Sequence, residues 1–126
     1  MSFDITPAVP LGRQLIQSYG DGGFTISDQT YDHPVIIFPE QTVVWQSCDL
    51  TVPTLEAFSP VIDADPPVDI LLVGCGPISL FMPLIFREMI KEKGVVIEPM
   101  DTGSACRTYN VLLAEERRVA AALVPV

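Results

Sequence analysis

Asp69-Ile70-Leu71-Leu72-Val73-Gly74 is an unbroken apolar run between an acid and a glycine. A strand with one wet face alternates apolar and polar residues. This run has no polar face, so it predicts a strand covered on both sides, as in an α/β sheet. Downstream, residues 75 to 82 read as a loop, because Pro83 suits the first position of a helix and would cost about 3 kcal/mol in its interior. Beyond Pro83, the residues Ile85, Phe86, Met89 and Ile90 line one helical face, with Arg87, Glu88, Lys91 and Glu92 on the other. Gly94 is the natural stop. Val95-Val96-Ile97-Glu98 is the next strand, residues 103–115 the next helix, and residues 118–124 the last strand. Strand, helix, strand, helix, strand implies a right-handed crossover and at least one parallel pair.

Upstream of Asp69 the pattern is different. Residues 1–20 are weakly patterned and contain prolines, which suggests an arm laid across the fold. Asp21-Gly22-Gly23 is a turn before the short strand Phe24-Thr25-Ile26. A second strand is expected over Tyr31–Phe38, with Pro34 holding part of it at an edge or bulge, and a third over Thr42–Gln46. Together these form an antiparallel meander. Trp45 is expected in the packing and His33 on a strand surface. Thr54 is positioned to cap a short helix at Leu55–Phe58, and Asp63–Pro67 forms an acidic connector. The sequence thus divides into a hairpin-rich β half and a βαβαβ half, with residues 1–126 expected to fold as a single domain.

Composition narrows the function. The chain has 126 residues, 48% of them apolar, enough to bury roughly two thirds of its unfolded surface in one core. Sixteen acids against seven bases give a net charge of −9, which repels nucleic-acid phosphates and anionic membrane surfaces. No apolar run is long enough to span a bilayer, and the N-terminal sequence lacks the pattern of a secretory signal. A cytoplasmic, bacterial or archaeal setting is therefore expected. Cys48, Cys75 and Cys106 are widely spaced and odd in number, so neither a disulfide framework nor a zinc site is indicated. With His33 as the one histidine, a histidine triad or His-based metal cluster lacks its parts. Neither metal nor cofactor is expected.

Chemistry-bearing groups are densest in Met100-Asp101-Thr102-Gly103-Ser104-Ala105-Cys106-Arg107-Thr108-Tyr109-Asn110, at a strand-to-helix junction. Ligands in open α/β sheets sit beyond the carboxyl ends of parallel strands. Two loops emerge there, one from Gly74 to Met82 and one from Met100 to Ser104. Gly74-x-Gly76 offers backbone amides to an anion but lacks the third glycine of a dinucleotide fingerprint and the lysine of a phosphate-binding loop. Arg107 is expected in the first helical turn, where the helix dipole disfavours a cation. Its compensating negative group is either Asp101 or a bound carboxylate or phosphate. The candidate ligand site is therefore Gly74, Gly76, Asp101, Thr102, Ser104 and Arg107. Cys75 and Cys106 have no histidine nearby in sequence, so small buried thiols are expected of both. Ile78, Leu80, Phe81 and Met82 make the outgoing loop unusually apolar, either tucked over the core or offered to a partner.

Gly74-Cys75-Gly76, Met100-Asp101-Thr102, Ala105-Cys106-Arg107-Thr108-Tyr109-Asn110 and Glu116-Arg117-Arg118-Val119-Ala120-Ala121-Ala122-Leu123 resemble one known family. It is the domain shared by mitochondrial complex I assembly factor three, the animal adipogenesis-associated protein, and bacterial and archaeal proteins. The likeness is most specific over residues 69–124. It implies a three-layer α/β fold with a central mixed β-sheet, here an N-terminal β-meander followed by βαβαβ. The family carries no established catalytic reaction, and the resemblance implies a role in helping a respiratory or membrane-associated complex assemble by protein–protein contact. The expected function is a non-enzymatic interaction protein of the assembly-factor kind with a protein partner. The alternative is a small-molecule or anion-binding domain, or an enzyme, acting at the strand–helix junctions.

Overall fold

The computed structural model describes residues 2–6, 12–46 and 49–126. Cys48 and the part of the expected N-terminal arm at 7–11 lie outside the described residues. The elements are β1 (Ser2–Asp4), β2 (Ile16–Gly20), β3 (Gly23–Ile26), β4 (Gln29–Tyr31), β5 (Val35–Ile37), β6 (Thr42–Val44), a 3-10 turn (Glu56–Phe58) running into α1 (Ser59–Ile62), β7 (Ile70–Gly74), α2 (Leu84–Glu92), β8 (Val96–Met100), α3 (Thr102–Ala114) and β9 (Val119–Leu123).

The run at residues 69–74 forms β7, inside a five-stranded mixed sheet of order β6-β5-β9-β7-β8. β7 pairs in parallel with both neighbours, Leu72 opposite Glu98 on one side and Ala121 on the other. β9 continues antiparallel onto β5, with Val35 opposite Leu123. The absence of a polar face on β7 now has its cause. Leu71 and Val73 point into one core with Phe58, Val61, Phe86 and Ile90, below α1 and α2. Leu72 points into the other, with Ile16, Tyr19, Phe24, Cys106 and Tyr109, below α3 and a small antiparallel sheet. β9 divides likewise, Ala120 and Ala122 toward the first core and Val119, Ala121 and Leu123 toward the second. The fold is therefore α/β, with the mixed sheet central and buried on both faces.

Three sequence expectations need correction. Among the described residues of the expected arm at 1–20 are two strands, β1 and β2, and Ile16 and Tyr19 of β2 reach the core. The meander is divided: β1-β2-β3-β4 make their own sheet, and β5-β6 join the central one. The chain changes sheets at Asp32–Pro34, where Pro34 has no N–H for a ladder. His33 lies in this connection rather than on a strand, half-buried, its ring edge-on to Tyr31 at 5.9 Å. The third concerns α2. Its predicted start at Pro83 is close, since Pro83 is the residue before the first turn. Its predicted buried face is only half right. Phe86 and Ile90 are buried, but Ile85 and Met89 are exposed. α2 packs over β8, the edge strand, so one flank of its apolar surface has no sheet beneath it. Trp45 meets its expectation, buried with its indole N–H donating to the Ala57 carbonyl at 2.9 Å. Thr54 Oγ1 accepts from Ala57 N at 3.2 Å, as a cap of that turn should.

Candidate functional site

The dense stretch at residues 100–110 forms the end of β8 and the first nine residues of α3. Asp101 is the N-cap. Its carboxylate accepts from Ser104 N at 3.0 Å and from Ser104 Oγ at 2.6 Å. These bonds, the hydroxyl's first, hold the Asp101 carboxyl below the usual carboxylate range. Thr102 is fully buried. Its hydroxyl donates to the Val124 carbonyl at 2.7 Å and accepts from Gly76 N at 2.9 Å, while its own N–H donates to the Gly76 carbonyl at 2.9 Å. One side chain thus joins three consecutive segments of the central sheet.

That bonding occupies the glycine loop. Gly76 N–H is taken by Thr102, Cys75 N–H donates to the Met100 carbonyl, and the Gly74 carbonyl accepts from Val124 N. A Cβ on Gly74 would stand 3.0 Å from the Thr102 backbone and from Leu123. Glycine at 74 allows this close packing without the neighbours giving way, and glycine at 76, at φ 108°, suits a backbone conformation other residues rarely adopt. The loop amides bond the protein's own oxygens, and the anion cradle considered for Gly74, Gly76 and Thr102 is filled by these internal bonds.

Tyr109 and Asn110 also point inward. Tyr109 donates to the Gln14 carbonyl at 2.9 Å. The Asn110 amide bonds Ile16 twice, accepting from its N–H at 3.0 Å and donating to its carbonyl at 2.8 Å. The β2–β3 ladder pairs Ile16 with Ile26 and is irregular between Ile16 and Ser18, and the Asn110 side chain satisfies the Ile16 backbone groups beside that irregularity. Gly103 allows the close approach of α3 to this sheet, since a Cβ on it would stand 3.0 Å from the Tyr19 ring. Tyr109 and Asn110 therefore fasten the small sheet to α3. Position in sequence did not reveal this, because their partners lie 94 and 95 residues away.

The thiols are packing groups. Cys75 faces the core under α1 and α2, and Cys106 the core under α3, on opposite faces of the central sheet. Both are free and buried, and burial pushes the Cys106 thiol up to about 12, away from thiolate chemistry.

Two features remain open to solvent. The first is Arg107. Because α3 begins at Thr102, Arg107 stands in the second turn rather than the first. Its guanidinium donates to the Tyr19 hydroxyl and, at 3.3 Å, to Ser104 Oγ. Arg107 is hydrogen-bonded toward Asp101 only through that serine, and its charge adds to the Ser104 bonds in lowering the Asp101 carboxyl. It forms no ion pair among the described residues. The second is apolar. Phe81 is 84% exposed, Ile78 66%, Leu84 65% and Ile85 72%, and Met89 extends the surface along α2. Leu80 is half-buried against the core, and Met82, 2% exposed, belongs to the core and not to this surface. Leu84, Ile85 and Met89 replace it. A helical wheel grouped Ile85 and Met89 with Phe86 and Ile90; the edge position of β8 separates them.

A mixed sheet with α1 and α2 on one face, and α3 with a small antiparallel sheet on the other, is an α/β fold shared with a solved structure described as a Mth938-like domain. The solution structure of a Bordetella pertussis protein described by that name superposes with a TM-score of 0.78 at 24% identity. Residues 16–124 match the family described as Protein of unknown function (DUF498/DUF598), and the chain belongs to that family. It is 37% identical over 114 residues to an uncharacterized protein of Rhodobacter capsulatus, covering 90% of this chain and 86% of that one. It is 32% identical over 114 residues to NADH dehydrogenase (ubiquinone) 1 alpha subcomplex assembly factor 3 of Danio rerio, covering 88% of this chain and 64% of the relative. The chain thus spans less than two thirds of that assembly factor's length. Among solved structures, one described as an outer membrane protein from Bartonella henselae has 38% identity and a TM-score of 0.79, over 91% of this chain and 97% of that one. Among the described residues, no helix of this chain is long and apolar enough to cross a membrane.

Proposed function

We propose that this chain is a non-enzymatic interaction protein of the assembly-factor kind, and that it holds a protein partner on the face formed by Ile78, Phe81, Leu84, Ile85 and Met89. The observation that carries this reading is the contrast between adjacent residues. Phe81 is 84% exposed beside Met82 at 2%, so the segment is firmly packed through one side chain while presenting the next. Contiguous exposed apolar surface of this kind marks interaction sites. Several family relatives are described as complex I assembly factors, which supports the same class of role. The internal bonding of Asp101, Thr102, Tyr109 and Asn110 leaves little of the signature stretch available for chemistry, in keeping with a protein that binds rather than reacts.

The partner presents side chains rather than a strand. Val96 N donates to the Asp69 carbonyl, so the alternate residues Ile97 and Pro99 turn their backbone groups to the open edge of β8. Pro99 has no N–H there, and Arg87 donates to the Ile97 carbonyl at 3.3 Å. Both devices blunt a sheet edge. The test compares Phe81→Asp/Ile85→Glu with the wild-type chain as bait in native extract. The reading requires a reproducible partner that the double variant loses while keeping its thermal midpoint. Equal recovery by both baits, or no reproducible partner for the wild type, would overturn it.

A further inference from the structure

A groove of about 460 Å³ lies between the end of β1 and α3, lined by Ile5, Arg107, Asn110, Val111, Ala114 and Glu115. It is separate from the α2 face, and its size is that of a small-molecule site. We propose that it binds an amphiphilic monocarboxylate, with the head on Arg107 and an acyl chain along Ile5, Val111 and Ala114.

The head group follows from the bonding of Arg107. Arg13 and Arg118 share Glu40, and Arg87 holds Glu98. Arg107 instead donates to two neutral oxygens. The Asp101 carboxyl, held down first by its bonds to Ser104, is also lowered by the Arg107 charge through space, but no carboxylate among the described residues forms an ion pair with the guanidinium. A guanidinium has five N–H donors, so two are engaged and the others are free for a planar carboxylate. Tyr19 and Ser104 hold the group in place, its Cζ 6.0 Å from the Tyr19 ring centre, which lowers the ordering cost of binding.

The tail follows from the walls. Arg107, Val111 and Ala114 recur at i, i+4 and i+7 on one helical stripe, about 10 Å long at 1.5 Å per residue. Val111 is exposed and Ile5 is half-buried. Asn110 directs its amide N–H groups at the Ile16 and Ile5 carbonyls, so its face toward the groove presents little free polarity. Glu115 stands at the far end, two turns from Arg107. A single negative charge is favoured at the Arg107 end, and a second one on the tail would meet Glu115. The site therefore prefers a monocarboxylate to a dicarboxylate of equal length.

The experiment is a titration of the ¹⁵N-labelled chain with decanoate below its micelle concentration, with acetate, decanol and decanedioate as separate arms. Saturable shifts at Arg107, Val111 and Ala114 with decanoate are expected, with at least tenfold weaker binding of each other probe. Arg107→Gln should weaken decanoate at least tenfold at an unchanged thermal midpoint. Val111→Asp, which leaves the guanidinium intact but puts a carboxylate in the tail path, should do the same. Absence of saturable decanoate shifts, decanol binding as tightly as decanoate, or undiminished decanoate binding by either variant overturns the proposal. Because Phe81 and Ile85 are untouched, these results are independent of the partner reading.

Discussion

Replacing Asn110 tests whether the signature stretch fastens the fold. Its amide makes two hydrogen bonds to Ile16, whose residue is fully buried. Asn110→Leu removes both and leaves an N–H and a carbonyl without partners away from water. Each such group costs about 1–3 kcal/mol, so the expected loss is about 2–6 kcal/mol. That is a large part of the roughly 5–15 kcal/mol that holds a domain together. Asn110→Asp is the sharper probe. Its carboxylate still accepts from Ile16 N–H, but it sets a second oxygen against the Ile16 and Ile5 carbonyls where N–H groups stood. Burial and facing carbonyls both disfavour the charge, so the introduced acid titrates above the ordinary aspartate value of about 3.9. Protonation restores an O–H donor. The variant's stability relative to wild type should then be best at low pH and fall as pH rises from about 4 through its folded value, since the unfolded chain loses this proton first. Urea unfolding followed by the emission of Trp45, the one tryptophan, reads both variants at a series of pH values. A loss under about 1 kcal/mol for Asn110→Leu, or an Asn110→Asp deficit that does not shrink on acidification, would refute the fastening role.

Four other outcomes follow from the same geometry. Thr102→Val should cost about 2–5 kcal/mol in urea unfolding, because Gly76 N–H and the Val124 carbonyl both lose a buried partner. Asp101→Asn should keep most of the cap at neutral pH and lose an acid-sensitive contribution. The lowered Asp101 pKa stabilises the wild type above the unfolded value of about 3.9, and that stability disappears as pH falls through the folded value, so the two unfolding curves should converge once pH is below that folded value. Phe81→Asp should change stability by less than about 0.5 kcal/mol, whereas Met82→Ala should cost about 2–5 kcal/mol, as measured by thermal and urea unfolding. Cys106 should resist alkylation by iodoacetamide at pH 7.5 in the native chain and react after unfolding, since its thiol is buried and pushed up to about 12, which mass spectrometry after a timed quench would show.

The βαβαβ half was legible because its signals are local. A run without a polar face, a helix bounded by Pro83 and Gly94, and a second helix opening after Asp101 each depend on residues within a few positions of one another. The division of the β half was not legible for the opposite reason. β5 leaves the meander to pair with β9, Val35 opposite Leu123, and nothing near Val35 encodes a partner 88 positions away. The face of α2 failed for a third reason. Periodicity gives the direction of an apolar stripe, but the width that is covered depends on how far the sheet extends beneath it. The arginine expectation divided in the same way. Its place near a helix start was readable, but its second-turn position and its Tyr19 partner required the tertiary fold.

The signature stretch drew attention because buried fasteners and catalytic groups are drawn from the same residue types, and a one-dimensional pattern does not separate them. What separates them here is the chemistry of their partners. Thr102 bonds Gly76 N and the Val124 carbonyl, Tyr109 the Gln14 carbonyl, and Asn110 the N–H and carbonyl of Ile16. All of these partners are backbone atoms. A side chain that fastens backbone places no demand of its own on the side chain it holds, so positions 14 and 124 can change while the junction persists, whereas Gly76 is fixed by its backbone conformation and Ile16 by the core. Side chain meets side chain in this stretch where Asp101 bonds Ser104 and where Arg107 bonds Ser104 and Tyr19. Fastening through backbone leaves the outer surface free to vary, and under the two proposals above recognition falls to the apolar face of α2 and the groove beside Arg107.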